Sequence, residues 1–458
     1  MIATASVKSN GPIGMNLLPR IAVGTVQPDA DLQVMLWALI SSLERSGLHV
    51  QAFSSQSRFE RRDAAVSITG EGRRHLDSWL MQPDVCAQLF HNAARFADIG
   101  LVEGIYDAPV SQPPDGGSLN TLCDWLDLPK LTVLDVAELD PCCPPKLPIG
   151  AAGILLDNVR DAHHMCVLRT LFEALYGVPV LGWLGRLEHL RAVVGDLPRH
   201  VNPTSELCEA LGDELLHGLQ LESMLRIASR SSIPWNADDL YRLPPFTEPL
   251  NVAVAYDEAF SCYFPDTLDV LESLGANVTV FSPLRSERLP ARTHVAYFGC
   301  GQPEDYVNEL AANICLKESL WNHVVSGGRI YAESAGLAYL CREMVMPCGR
   351  HWPMVGLVPA LARRNPAPGP DRPVEVTPAC DSWLFAAGES VRGYLSSQWI
   401  IHPDGCLRGL VAEAEHSHDL VGDYQIVGSR IHLNFAARPA YLRKFFLPCR
   451  GSRLNTVS

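Results

Sequence analysis

Ser334 sits in a stretch of the chain built to present a reactive side chain. In Gly327-Gly-Arg-Ile-Tyr-Ala-Glu-Ser-Ala-Gly-Leu-Ala-Tyr-Leu340, an apolar strand (Arg329 to Ala332) runs into a tight turn of small residues. A helix follows, with Leu337 and Leu340 on one face. Such a turn lifts one side chain clear of the sheet edge and sets backbone N–H groups beside it. Its occupant here is a hydroxyl, which needs far stronger activation than a thiol to attack a carbonyl. Other reactive types are scattered. Cys142-Cys143, His163-His164 and Cys348-x-x-His351 carry metal-ligand atoms, yet none has a second pair at zinc-site spacing, so no metal site is expected.

Composition narrows the field. Of 37 basic side chains five are lysine, leaving 32 arginines, a bias that suits bidentate recognition of carboxylates. Arg58, Arg61, Arg62, Arg73, Arg74 and His75 form the densest group, readable as a ligand-gripping surface or as a solvated basic stretch. A net charge of −14 argues against a broad phosphate-binding face, so no nucleic-acid partner is expected. The 14 cysteines have no framework spacing, and no secretory leader is read at the N-terminus, so reduced thiols and a cytoplasmic location are expected. The longest apolar runs, such as Val34 to Ile40, fall short of a bilayer span, so no membrane partner is expected either.

The elements that must position these groups alternate short apolar runs with amphipathic stretches, the pattern of parallel sheets wound with helices. Strands are expected at Arg20 to Gly24, Leu48 to Phe53, Asp98 to Gly104, Leu131 to Val136, Gly153 to Asn158 and Val178 to Gly182, with a helix over Asp29 to Ser46. Pro234, Pro244, Pro245 and Pro249 mark a linker at 236–250. A second series begins at Asn251 to Tyr256, continuing with a helix around Asp266 to Leu274 and strands at Asn277 to Phe281 and His294 to Phe298. The proline-rich stretch Arg363 to Pro378 reads as a surface loop. Domains are therefore expected at 1–235 and 251–458.

Taken in order, these segments resemble the cobyrinate a,c-diamide synthase family of two-domain glutamine amidotransferases. The resemblance rests on Leu76-Asp-Ser-Trp-Leu-Met81, Val102-Glu-Gly104, Gly182-Trp-Leu-Gly-Arg186, Pro198-Arg-His-Val201, Ala255-Tyr-Asp-Glu-Ala-Phe260 and Tyr263-Phe-Pro265. Phe281-Ser-Pro-Leu284, Gly299-Cys-Gly-Gln-Pro-Glu304, Ala311-Ala-Asn313 and Gly428-Ser-Arg-Ile-His-Leu-Asn-Phe435 extend it. It implies an α/β fold: a P-loop-NTPase-like (dethiobiotin-synthetase-like) parallel-sheet domain, then a class I glutamine-amidotransferase-like domain of flavodoxin type. Family members amidate carboxylates of a tetrapyrrole-like macrocycle, using ATP, Mg²⁺ and glutamine.

The working parts depart from that pattern. The family's phosphate loop reads like Gly-Thr-x-x-Gly-x-Gly-Lys-Thr-Thr; here Gly24-Thr-Val-Gln-Pro-Asp-Ala-Asp-Leu-Gln33 keeps only Gly24 and Thr25. Pro28 and Ala30 replace glycines, Asp31 the lysine and Leu32 the metal-binding hydroxyl, and Asp29 with Asp31 would repel a triphosphate. Glu103 stands at the family's metal-supporting carboxylate. Without the loop it is a retained strand-end residue, and no nucleotide cofactor is expected. The resemblance places Arg73, Arg74, Asp77 and Asp107 toward substrate. It also places Ser334 at the nucleophilic cysteine and His432 at its histidine partner, with Asn434 replacing a second histidine. Gly299, Cys300 and Gly301 occupy the oxyanion region, where a Cβ at Cys300 narrows the hole. A further family element with two histidines is Gly393-Tyr-Leu-Ser-Ser397 here.

Three readings follow from the sequence. The first is a degenerate diamide-synthase-like protein that keeps a binding role for a tetrapyrrole or a protein partner. The second is an active amidotransferase using free ammonia and a rebuilt nucleotide site. The third is a non-catalytic regulatory subunit of an active paralogue. A homodimer fits any of them.

Overall fold

The alternating pattern folds, in the computed structural model, into two open sheets wound with helices. The structure describes residues 18–447 apart from 28–29, 60–61, 107–115, 138, 140–142, 198–200, 231–248, 413–415 and 417. The first sheet has seven parallel strands in the order Arg74–His75, Val50–Ser54, Ile99–Ile105, Arg20–Thr25, Lys130–Asp135, Ala151–Val159, Val180–Gly185. Helices cover its faces, which is why the central strands read as continuous apolar runs rather than as alternation. The helix Gln33–Arg45 buries every residue from Val34 to Leu43, and its Ser42 Oγ donates to the Gly212 carbonyl of helix Ser205–Leu216 at 2.9 Å.

The second sheet has six strands, ordered Ala276–Phe281, Leu250–Ala255, Val295–Phe298, Arg329–Glu333, Ile426–Ser429, Leu420–Gly422, and only the last is antiparallel to its neighbour. A four-stranded sheet (His351–Pro353, Cys341–Val345, Val358–Arg364, Trp399–Pro403) and a three-stranded one (Arg372–Val376, Val391–Leu395, Ile431–His432) pack beside it. One apolar cluster joins the two halves, since Phe53, Leu119 and Leu122 share it with Val252, Tyr331, Tyr394 and Phe435.

Two sequence expectations need correction. The first long helix starts at Gln33, not Asp29. Asp31 therefore stands ahead of the first turn, where its carboxylate accepts the Gln33 N–H at 2.9 Å, and Asp29 lies outside the described residues. The stretch 363–378 is not simply a loop, because Arg372–Val376 is a strand. Pro373 is tolerated there because the strand pairs on one side only, with Val391–Leu395. Most of the expected linker, 236–248, lies outside the described residues, and Leu250 already belongs to a strand. Among the described residues no helix is long and apolar enough to cross a membrane.

Candidate functional site at the domain seam

Strand Arg329–Glu333 ends at Ser334, and helix Ala335–Leu340 begins immediately after it. Ser334 takes φ 44° and ψ −98°, a left-handed conformation costing a non-glycine residue about 1–3 kcal/mol. Three backbone bonds hold it there: Ser334 N–H to the Ser429 carbonyl (2.7 Å), Gly336 N–H to the Gly299 carbonyl (3.1 Å) and Ala338 N–H to the Ser334 carbonyl (2.9 Å). The nucleophile-turn backbone is thus present. The hydroxyl, however, is buried and donates to Ser396 Oγ at 3.3 Å.

His432 is engaged elsewhere. Its Nδ1 lies 3.5 Å from Glu333 Oε2 and its Nε2 3.7 Å from Asp371 Oδ2, and the side chain is 2% exposed. Burial works against the charged ring, but the hydrogen-bonding reach of Glu333 and the charges of Asp371 and Glu333 outweigh it and raise the imidazole pKa. Both ring nitrogens thus face carboxylates, while the Ser334 hydroxyl bonds Ser396 and not the ring. Over it lies Phe59 of the first domain, edge-on at 5.0 Å, itself stacked on Phe264 at 4.3 Å. In the Gly299-Cys300-Gly301 segment the Gly299 N–H already donates to the Tyr263 hydroxyl at 2.8 Å. Cys300 is buried against strand Phe260–Cys262, and burial pushes its thiol pKa well up.

The basic cluster turns inward. Arg73 pairs with Glu103, both buried, and its Nε lies 3.6 Å from Asp63. Arg74 reaches across the seam, its Nη1 2.6 Å from both Asp266 and Asp269 of the second domain. His75 donates from Nε2 to the Arg58 carbonyl at 3.0 Å, and burial together with Arg73 lowers its pKa to about 4. The Arg58 guanidinium stacks on the Tyr394 ring at 4.9 Å, while Arg62 donates to the Val194 and Leu197 carbonyls. Arg61 and Asp107 lie outside the described residues.

Asp77 is fully buried and accepts four hydrogen bonds: Ser57 N–H (2.8 Å), Trp79 N–H (2.9 Å), Leu80 N–H (3.2 Å) and, across the seam, the Tyr394 hydroxyl (2.7 Å). Burial raises its pKa, but four donors satisfy a carboxylate and would leave no acceptor for a carboxylic proton. Gly117 makes the approach possible, since a Cβ there would lie 2.7 Å from Asp77 Oδ1. Asn434 completes the seam by donating to Ser57 Oγ at 3.2 Å.

At the end of strand Arg20–Thr25, where a phosphate loop would open, the described side chains are engaged with the protein itself. Leu119 packs so closely over Gly24 that a Cβ would meet its Cδ2 at 2.7 Å. The Gln27 side chain bridges to the Asp135 backbone, donating to its carbonyl (3.1 Å) and accepting from its N–H (2.8 Å).

Comparison with known proteins places this geometry in context. Residues 251–439 match the family described as the CobB/CobQ-like glutamine amidotransferase domain. Over 95% of its length the chain is 28% identical to hydrogenobyrinate a,c-diamide synthase of Streptomyces coelicolor, covering 98% of that protein. A cobyrinate a,c-diamide synthase of Dehalococcoides mccartyi is 26% identical over 93% of this chain and 97% of its own. The chain is thus similar over nearly its whole length to a,c-diamide synthases, and its second half to the CobB/CobQ-like glutamine amidotransferase domain. Among solved structures, a glutamine amidotransferase aligns over 43% of this chain and 99% of its own, at 17% identity and a TM-score of 0.34.

ATP and magnesium are the cofactors this family implies, and the residues present do not fit them. Asp31, expected at the loop lysine, is a carboxylate that accepts the Gln33 N–H, Glu103 is engaged by Arg73, and the Gln27 side chain is bonded to the Asp135 backbone. Calorimetry with millimolar Mg-ATP is expected to show no saturable heat, and a micromolar dissociation constant would refute the reading of this corner. Among the described residues no group of three or more His, Cys, Asp or Glu is arranged to hold a metal. Sequence reasoning missed Phe59, Asp266, Asp371 and Ser396. Phe59 alone had a signal, as a lone aromatic inside the charged run Arg58-Phe-Glu-Arg-Arg62.

Proposed function

We propose that this diamide-synthase-like chain has lost ATP- and glutamine-dependent amidation and acts as a non-catalytic binding subunit, its partner an active amidotransferase of the same kind. The observation that carries this reading is the closed seam. Arg74 and Asp77, expected to face a macrocycle, bond Asp266, Asp269 and Tyr394 of the other domain, and Phe59 covers His432. Retained tetrapyrrole binding is the competing reading. It needs those bonds to open, and the arginine-rich composition is its support.

Glutamate release from glutamine is expected to stay at the buffer level. Ser334→Cys supplies the missing thiol but leaves His432 between Glu333 and Asp371, so that variant is expected to stay inactive as well. Hydrolysis by Ser334→Cys would show that His432 is free to act as a base, overturning the argument. Titration with sirohydrochlorin or cobyrinic acid separates the two binding readings. No change in the ligand's visible spectrum up to ~100 μM, a weak affinity near the bottom of specific recognition, supports the subunit reading; saturable binding below that supports the tetrapyrrole one.

A further inference from the structure

Cys262 and Cys300 are partners on adjacent antiparallel strands, Phe260–Cys262 and Cys300–Gly301, at a point where the register shifts. Residues directly opposite in such a pair project to the same face with Cα atoms about 4.5–5.5 Å apart, inside the span a disulfide bridges. Both thiols are free, Cys300 buried and Cys262 half-buried, and the Cys300 thiol is directed at the Cys262 carbonyl at 3.8 Å. The two differ in character. A hydrogen bond from Cys300 lowers the Cys262 pKa against the effect of burial, with Ser261 and the His432 charge adding to it and Asp371 opposing. Burial, and then that same shared hydrogen, raise the Cys300 pKa. A half-buried cysteine of lowered pKa, paired across two strands with a buried one of raised pKa, is the arrangement of an attacking and a resolving cysteine.

We propose that Cys262 and Cys300 form a redox-modification site that a hydroperoxide converts to an intramolecular disulfide. The Cys262 thiolate attacks the terminal peroxide oxygen and becomes the sulfenic acid, and the O–O bond breaks to release hydroxide or alkoxide. Cys300, deprotonated in the step, then attacks the Cys262 sulfur. The S–O bond breaks, the sulfenic oxygen leaves as water carrying the Cys300 proton, and the S–S bond forms. Two electrons pass from the thiol pair to the peroxide. His432, whose own pKa Glu333 and Asp371 raise, adds to the lowering of the Cys262 pKa. Nothing in this step depends on the loss of amidation.

The test is to treat the full chain with hydrogen peroxide, block remaining thiols, digest without reductant and identify linked peptides by mass spectrometry. The expected product joins the Cys262 and Cys300 peptides, is lighter by two hydrogens and is reversed by dithiothreitol. Cys300→Ser is expected to stop the reaction at a Cys262 sulfenic acid that dimedone captures. Cys262→Ser should slow peroxide consumption by the pair at least about tenfold, because the buried thiol has little thiolate character. Cys86 and Cys341, both buried with raised pKa values, serve as internal controls that stay reduced. Cys262 oxidising no faster than those controls, or pairing with a cysteine other than Cys300 in the folded chain, would overturn the proposal.

Discussion

Exchanging Arg74 for methionine is expected to lower stability by about 3–5 kcal/mol at pH 8, the usual cost of removing one member of a buried ion pair. At pH 5 the loss should be smaller. Arg74 is the cation for Asp266, which is 1% exposed and lies 2.6 Å from it, and also for the more exposed Asp269. Burial already lifts the Asp266 pKa to about 6, with Arg74 pulling it down and Asp269 pushing it up. Without Arg74 the folded-state value climbs further above the unfolded one. A carboxyl raised in this way binds its proton more readily folded than unfolded, so its contribution falls as pH rises through the window between the two values. Acid therefore relieves the variant by protonating Asp266. Urea midpoints for both proteins at pH 5 and pH 8 give the comparison. Equal losses at the two pH values would mean that Arg74 is not what balances Asp266. Adding Asp266→Asn to Arg74→Met should recover part of the pH 8 loss, since it removes the stranded charge.

The contrast between what was legible in the chain and what was not follows from the range of the interactions. The strand and helix flanking Ser334 could be read because a turn of small residues between an apolar run and Leu337 and Leu340 is a local pattern. Most strands of the two main sheets were readable for the same reason, being short apolar runs, whereas Arg74–His75, Leu420–Gly422 and Ile426–Ser429 were not. The strand Arg372–Val376 was not either, since Pro373 and the prolines flanking the strand speak locally for a loop and only the partner Val391–Leu395 makes it a strand. The roles of Arg73 and Arg74 depended on range in the same way. An arginine cluster has the same composition whether it faces a ligand or the protein's own carboxylates. Asp266 and Asp269, nearly 200 residues further on, are brought to Arg74 only by docking of the second domain. His432 shows the same limit: the motif supplies a histidine, while Asp371, which lies 3.7 Å from its Nε2, and Phe59, which covers it, come from distant segments.

Asp77 carries the other large effect, because one carboxylate serves both its own loop and the opposite domain. Tyr394→Phe removes the bond to this charged acceptor and also the one the hydroxyl accepts from the Gly117 N–H at 3.2 Å, and the expected loss is about 2.5–6 kcal/mol. Asp77→Ala removes that bond too and strands the N–H groups of Ser57, Trp79 and Leu80 in a site without solvent. Each buried donor left unpaired costs about 1–3 kcal/mol, so Asp77→Ala, which strands three N–H groups against the one of Gly117, should lose more than Tyr394→Phe. In the double variant the two losses should fall short of additive by roughly the worth of the shared bond. The measurement is thermal and urea unfolding of the four proteins, with intrinsic fluorescence as the readout because Trp79 lies within the Asp77 loop and beside Tyr394. Asp77→Asn is the conservative comparison. It keeps one acceptor oxygen for Trp79 and Leu80 but sets an amide donor against the Ser57 N–H, so it should fall between the two single variants. If Asp77→Ala costs no more than Tyr394→Phe, the loop does not rest on the carboxylate. The closed seam would then rest on Arg74, Asn434, Phe59 and the shared apolar core.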